Sequence, residues 1–151
     1  MQLLEVENLS KTYGQGEAAV HALQGATFTV PKGEFVAVVG ESGSGKSTLL
    51  NLIGGLDTPT GGKVLIDGKD IFAMKDRSLT VFRRRNIGFV FQSFNLIPEL
   101  TVEQNILFPV LLDYQTPDRA YLEELLEVLG LTQRRHHLPG QLSGGQQQRA
   151  A

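Results

Sequence analysis

The sequence predicts an α/β chain, and three observations carry that reading. A continuously apolar, β-branched run, Phe35-Val36-Ala37-Val38-Val39, leads into a glycine-rich segment that starts at Gly40. A helical stripe follows directly, with Leu49, Leu52, Ile53 and Leu56 at i, i+3, i+4 and i+7. Toward the C-terminus the pattern turns helical, with a capping box at Thr101-Val102-Glu103-Gln104 and a second stripe at Leu122, Leu125, Leu126 and Leu129. Strand, glycine loop and helix in that order, flanked by shorter strands, describe a core with an added antiparallel β-layer and a helical subdomain.

In chain order, Leu3 to Val6 and Ala26 to Val30 read as strands, and Pro31-Lys32-Gly33 as the turn into a third, Glu34 to Val39. That third run, apolar at every position from Phe35, is expected to be a central strand covered on both faces. A helix opens near Lys46 and frays at Gly54-Gly55 and Asp57-Thr58-Pro59. Asp67-Gly68 between the apolar ends of Val64 to Ile71 is a hairpin signal and the source of the antiparallel layer. Lys75 to Asn86, with Arg83-Arg84-Arg85, reads as a solvated helix, and Ile87 to Phe91 as another buried strand with Gln92 at its end. The helix opened at Thr101 is expected to kink or stop at Pro109, and the next runs from Thr116-Pro117 to Gly130. Residues 1–92 are therefore expected to form the core with its β-layer, and 93–151 the helical subdomain.

Composition narrows the function classes. The chain has 151 residues, 41% hydrophobic and 20% charged, which suits one globular domain and excludes a disordered tail. Its 14 Lys+Arg against 16 Asp+Glu give a net charge of −2, so no global positive field recruits nucleic acid or an anionic membrane. With no cysteine, disulfides, thiol catalysis and cysteine-ligated zinc are excluded, and a reducing compartment is the easier reading. The N-terminus lacks the basic start and apolar run of a secretory signal, and the longest apolar stretches fall far short of the ~20 residues of a membrane span. A cytoplasmic chain is expected. His136-His137 reads as a solvated helix end, since adjacent imidazoles do not share a helix face.

The chemistry is concentrated in Gly40-Glu41-Ser42-Gly43-Ser44-Gly45-Lys46-Ser47, which matches the phosphate-loop pattern G-x-x-x-x-G-K-[ST]. Glycines let successive N–H groups curl round a phosphate, the helix start adds its positive dipole end, Lys46 reaches the β- and γ-phosphates, and Ser47 offers a hydroxyl oxygen to Mg²⁺. The expected cofactors are ATP and Mg²⁺, bound over Gly40 to Thr48. The loop alone leaves kinases, GTPases, helicases and transporter ATPases open. Leu142-Ser143-Gly144-Gly145-Gln146 adds a second feature: Ser143 is placed as an N-cap ahead of two glycine amides at a helix start.

With both motifs present in this order and spacing, the sequence resembles the nucleotide-binding domain of ATP-binding-cassette (ABC) transporters, a P-loop NTPase core whose signature is LSGGQ. The resemblance implies that Tyr13, in Leu9-Ser10-Lys11-Thr12-Tyr13-Gly14, stacks on adenine, against the alternative of a core or edge aromatic. It implies that Gln92 is the Q-loop glutamine, touching Mg²⁺ or the attacking water, against a plain strand-end polar residue. It implies a head-to-tail dimer with a second ABC domain, in which Ser143, Gly144, Gly145 and Gln146 of one copy meet the γ-phosphate held by Lys46 of the other. The segment Phe94 to Leu107 would receive the coupling helix of a transmembrane permease, or else only pack the helical subdomain. The chain would then sit in the cytoplasm at the inner face of the cell membrane.

Arg84 to Gln92, Phe94-Asn95-Leu96-Ile97 and Leu49 to Asp57 are similar to the lipoprotein-release, macrolide-export and antimicrobial-peptide-export branch. The implied function is an ATP-binding subunit that couples ATP binding and hydrolysis to transport or extrusion. ABC domains continue past the signature into a strand ending in an Asp-Glu pair and then a histidine switch, whereas this sequence ends at Arg149-Ala150-Ala151. The magnesium-side Asp, the catalytic Glu and the switch His have no counterpart in it. The expectation is therefore a domain lacking the C-terminal part of the fold: an ATP hydrolase in its parent form, with no general base of its own. Two other readings are a non-catalytic nucleotide-binding fragment and a soluble ABC ATPase acting on nucleic acid; the lack of a basic surplus opposes the latter.

Overall fold

Two 12-residue strands, β1 (Gln2–Tyr13) and β2 (Val20–Pro31), pair antiparallel in the computed structural model, which describes residues 2–151. β3 (Gly61–Ile66) pairs on the other edge of β1, and β4 (Lys69–Asp70) on β3, giving a four-stranded antiparallel sheet in the order β2-β1-β3-β4. The strand expected at Leu3 to Val6 continues to Tyr13 because of an irregularity that alternation cannot reveal. Asn8 sits at φ 48° and the register slips between Val6 and Leu9, so these two residues, three apart, both turn inward and are fully buried. The Asp67-Gly68 hairpin forms as expected, both residues taking the left-handed backbone that such a two-residue turn requires, at φ 49° and 72°.

Five α-helices, α1 (Lys46–Ile53), α2 (Asp76–Asn86), α3 (Val102–Leu112), α4 (Arg119–Val128) and α5 (Gly144–Ala150), and three short 3-10 turns complete the described residues. The chain divides into two compact units, Met1–Ile87 and Gly88–Ala151. In the first, Val6, Leu9, Val64 and Ile71 of the sheet region bury against Leu52 of α1 and Phe82 of α2. Leu49 and Ile53 pack at the edge of that core, while Leu56, assigned to the same stripe, is 36% exposed because the helix ends before it.

In the second unit Val102, Leu122, Leu126, Leu131, Leu142 and Ala150 form a core of their own. Two sequence expectations shift here. α3 passes through Pro109 to Leu112, since the proline forfeits only one ladder bond close to the helix end. α4 starts at Arg119 rather than at Thr116-Pro117, because the Asp118 carboxylate accepts from Tyr121 N (3.1 Å) and caps it. Glu103, in the first turn of α3, is gripped by Arg135 Nε (2.9 Å) and Arg119 (2.8 Å), while Arg135 forks onto both oxygens of Glu123 (2.7 and 2.8 Å).

The two runs expected to be buried strands, Glu34 to Val39 and Ile87 to Phe91, are not strands. Residues 34–40 and 87–91 have no ladder partner among the described residues, and Phe35, Val39 and Val90 are 95%, 86% and 71% exposed. An apolar run becomes a buried strand only when neighbouring strands take its N–H and C=O groups, and here neither run has one. Phe89 and Phe91 instead stack on each other at 5.6 Å.

Leu126→Ala, at a fully buried site, is expected to destabilise the helical unit by about 2–5 kcal/mol in a denaturant titration. The hydrogen bond from Arg135 holds the Glu103 carboxyl below its ordinary value of 4.5. That contribution is therefore fully present above about pH 4.5 and is lost as pH falls through the lowered folded-state value. Melting temperatures followed from pH 7 to 3 should drop more steeply in the wild type than in Glu103→Gln, whose amide does not titrate.

Candidate functional site

The glycine-rich loop and the sheet meet at Gly45. On β2 the ladder passes from Leu23 to His21 against consecutive β1 residues Lys11 and Thr12, leaving Ala22 as an extra residue. Gly45 packs against that point: a Cβ on it would lie 2.3 Å from the Ala22 carbonyl oxygen, and its backbone stands at φ 89°. A glycine is required on both counts. It also caps α1, whose first helical residue is Lys46, so the chain turns from loop to helix against the sheet edge. Around this junction Val20, His21, Gly43, Lys46, Ser47 and Thr48 line a cleft of about 230 Å³.

Lys46 folds back over its own loop. Its ammonium donates to the carbonyls of Gly40 (2.9 Å) and Glu41 (2.5 Å) and to Ser44 Oγ (3.3 Å), while Ser44 N closes a turn onto Glu41 O (3.2 Å). Ser42 and Gly43 lie exposed at the loop tip, and Ser47 is exposed on the first turn of the helix. The first N–H groups of α1 have no intrahelical acceptor, and beside a lysine they form a site of positive potential. Tyr13 closes β1 in the same unit, opposite Val20 of the cleft. Its hydroxyl donates to Asp57 Oδ2 (2.7 Å), and Asp57 Oδ1 accepts from Lys11 Nζ (2.6 Å). These bonds, the one from Lys11 foremost, lower the Asp57 carboxyl below its ordinary value.

The remaining expected residues lie in the second unit. Gln92 is exposed in a turn where Phe94 N bonds to Phe91 O (3.2 Å), not at a strand end. Ser143 caps α5: its Oγ accepts from Gln146 N (3.3 Å), and Gln146 Oε1 accepts from Ser143 N (2.8 Å). The capping box leaves Gly144 and Gly145 exposed at the helix start and engages the Gln146 side chain locally. In the segment after Gln92, Leu96 packs at the edge of the helical core. Asn105 ties the connection down: Oδ1 accepts from Ile97 N (2.7 Å) and Nδ2 donates to the carbonyls of Ile97, Leu100 and Thr101. His137 Nε2 lies 3.1 Å from the Arg134 guanidinium.

Sequence reasoning missed Asp57, Lys11 and Asn105. Asp57 looked like helix-end punctuation, its partners 44 and 46 residues earlier in the chain. Asn105 had the signal of a polar residue inside a capped helix, which commonly bonds back to the segment before the cap.

Residues 23–151 match the ABC transporter family. The chain belongs to that family. It is 48% identical to the lipoprotein-releasing system ATP-binding protein LolD of Geobacter metallireducens, over 99% of this chain and 67% of that protein. It is also 48% identical to the macrolide export ATP-binding/permease protein MacB of Brucella melitensis biotype 1, over 99% of this chain and 23% of that one. Among solved structures, a dimeric post-hydrolysis state of the ATP-binding cassette MJ0796 bound to ADP and Pi superposes with a TM-score of 0.89 at 44% identity, covering 97% of this chain and 66% of that one. The fold is thus that of an ABC ATPase cassette, and the 151 residues span about two thirds of the LolD and MJ0796 chains.

Gly45→Ala is the sharpest test of the junction. Contact with the Ala22 carbonyl and the positive φ should together cost about 1–3 kcal/mol. Thermal melting reads the loss, and hydrogen exchange should place it at the first turn of α1; a melting curve equal to wild type would contradict the packing.

Proposed function

We propose that this chain is the nucleotide-binding part of an ATP-driven membrane transporter, with Gly40 to Thr48 as the cradle for the phosphates of Mg-ATP. The observation that carries the reading is the junction at Gly45 and Lys46: a glycine wedged on β2 turns a flexible loop onto a helix N-terminus whose first residue is a lysine. On binding, Lys46 exchanges the neutral carbonyls of Gly40 and Glu41 for anionic phosphate oxygens, which form stronger, charge-assisted bonds. Amides of Ser42 to Ser47 then face the polyphosphate. The exposed Ser47 hydroxyl suits a hard cation and is the proposed Mg²⁺ contact of the loop; the Gln92 amide oxygen, in the other unit, is of the same donor class and keeps the proposed role of binding Mg²⁺ or the attacking water. When bound, Mg²⁺ neutralises charge on the β- and γ-phosphates. Tyr13 offers its ring to adenine.

Two copies are proposed to assemble head to tail, in keeping with the dimeric state of the MJ0796 cassette. Ser143, Gly144 and Gly145 of one copy would meet the γ-phosphate of the other, with Gln146 holding Ser143 in place through the capping box. A permease partner and a lipoprotein or macrolide cargo class are supported by the names of the LolD and MacB relatives. Among the described residues no helix is long and apolar enough to cross a membrane. The proposed location is the cytoplasmic face of a membrane, reached through the permease, with residues 94–107 as the docking segment.

We propose no general base for hydrolysis among the described residues; Glu123, for example, is committed to Arg135. This chain is proposed to bind nucleotide without turning it over, since a positioned base typically contributes 10²–10⁴-fold. ATP binding measured by calorimetry should be lost in Lys46→Ala. Steady-state phosphate release by the 151-residue chain should stay at background; turnover that disappears in Lys46→Ala would refute this reading.

A further inference from the structure

The segment following α1 reaches back to the sheet and fastens the end of β1. Asp57 bridges two β1 side chains, with Oδ1 on Lys11 Nζ (2.6 Å) and Oδ2 on the Tyr13 hydroxyl (2.7 Å). Lys11 also donates to Thr58 O (2.6 Å), Thr58 N donates to Asp57 Oδ1 (2.7 Å), and the ammonium stands 4.8 Å over the centre of the Tyr13 ring. The Lys11 and Asp57 side chains are 12% and 27% exposed, whereas Tyr13 is 42% exposed. The anchoring groups are sheltered and the ring is presented.

A tyrosine at a strand end rotates freely about two side-chain bonds, and stopping that rotation costs binding energy for any ligand that stacks on it. Here both degrees of freedom are restrained before a ligand arrives, since the hydroxyl is tied to a carboxylate and one ring face lies under a cation. We propose that Lys11 and Asp57 are positioning residues for Tyr13: they fix its ring plane and cover one face, so that the base of a nucleotide stacks on the other. This rests on the nucleotide reading above. The pair acts on the base alone, because it touches neither the loop nor Lys46.

Calorimetric titration of Mg-ATP and of Mg-tripolyphosphate, which has no base, separates the two readings. Asp57→Ala and Tyr13→Phe should each weaken ATP binding about 3- to 10-fold, the size of one lost hydrogen bond. Tripolyphosphate affinity should not change. The double variant should be no weaker than Asp57→Ala alone, because both remove one device. Asp57→Asn should recover part of the loss, since its amide oxygen still accepts from the tyrosine hydroxyl. Tyr13→Phe carries the same comparison if Asp57→Ala does not fold. Equal ATP affinity in wild type, Asp57→Ala and Tyr13→Phe overturns the inference and leaves the nucleotide reading standing, as does an equal loss for both ligands. Failure of the wild type to bind either ligand overturns the nucleotide reading and, with it, this inference.

Discussion

The close approach of Gly45 to the Ala22 carbonyl fixes the geometry of the whole candidate site. Loop, helix and sheet converge there within van der Waals contact, and a methyl group would force them apart. The extra residue on β2 turns the Ala22 carbonyl toward the loop, and the left-handed glycine lets the helix begin against it. The direction of α1, the orientation of its free N–H groups and the origin of the Lys46 side chain all follow from this contact. A loop of the same composition on a free helix end would keep the charge and lose the aim.

α1 works at both ends. At its N-terminus stands Lys46; beyond its C-terminus, Asp57 returns to β1 and holds Tyr13. Eight helical residues rise about 12 Å, and Leu56 N and Asp57 N fold back onto Asn51 O beyond its end. Because Leu52 is fully buried against β1 and β3 residues, the helix cannot slide relative to the sheet without breaking the core. Core packing thus fixes where Lys46 and the segment carrying Asp57 stand relative to the sheet.

Legibility in the sequence followed the range of the interactions. The glycine loop, the Asp67-Gly68 hairpin, the capping box at Thr101 and the N-cap at Ser143 are local devices whose chemistry lies within a few residues, and each could be read directly. The extension of β1 past Val6 could not, because the positive φ at Asn8 breaks the two-residue alternation that marks a strand. The start of α4 moved for a smaller reason: the carboxylate of Asp118, two residues past Thr116, took the capping role. The clamp on Tyr13 was hidden because its halves are more than forty residues apart and each half looks like ordinary punctuation.

Residues 35–39 and 87–91 expose the limit of reading strands from apolarity. Their composition reports what a buried parallel strand would need, and it is silent on which segment supplies the ladder. Antiparallel neighbours such as β3 and β4 are joined by a two-residue turn, so their pairing is encoded beside them. A parallel neighbour arrives only after a crossover of a dozen or more residues, and its pairing is encoded elsewhere. The sheet that forms in these residues is accordingly the antiparallel layer alone, while the more strongly apolar run carrying Phe35 stays unpaired. The phosphate loop nevertheless keeps its turn, because Gly45 is seated on β2 of that layer and does not rely on the run that precedes the loop.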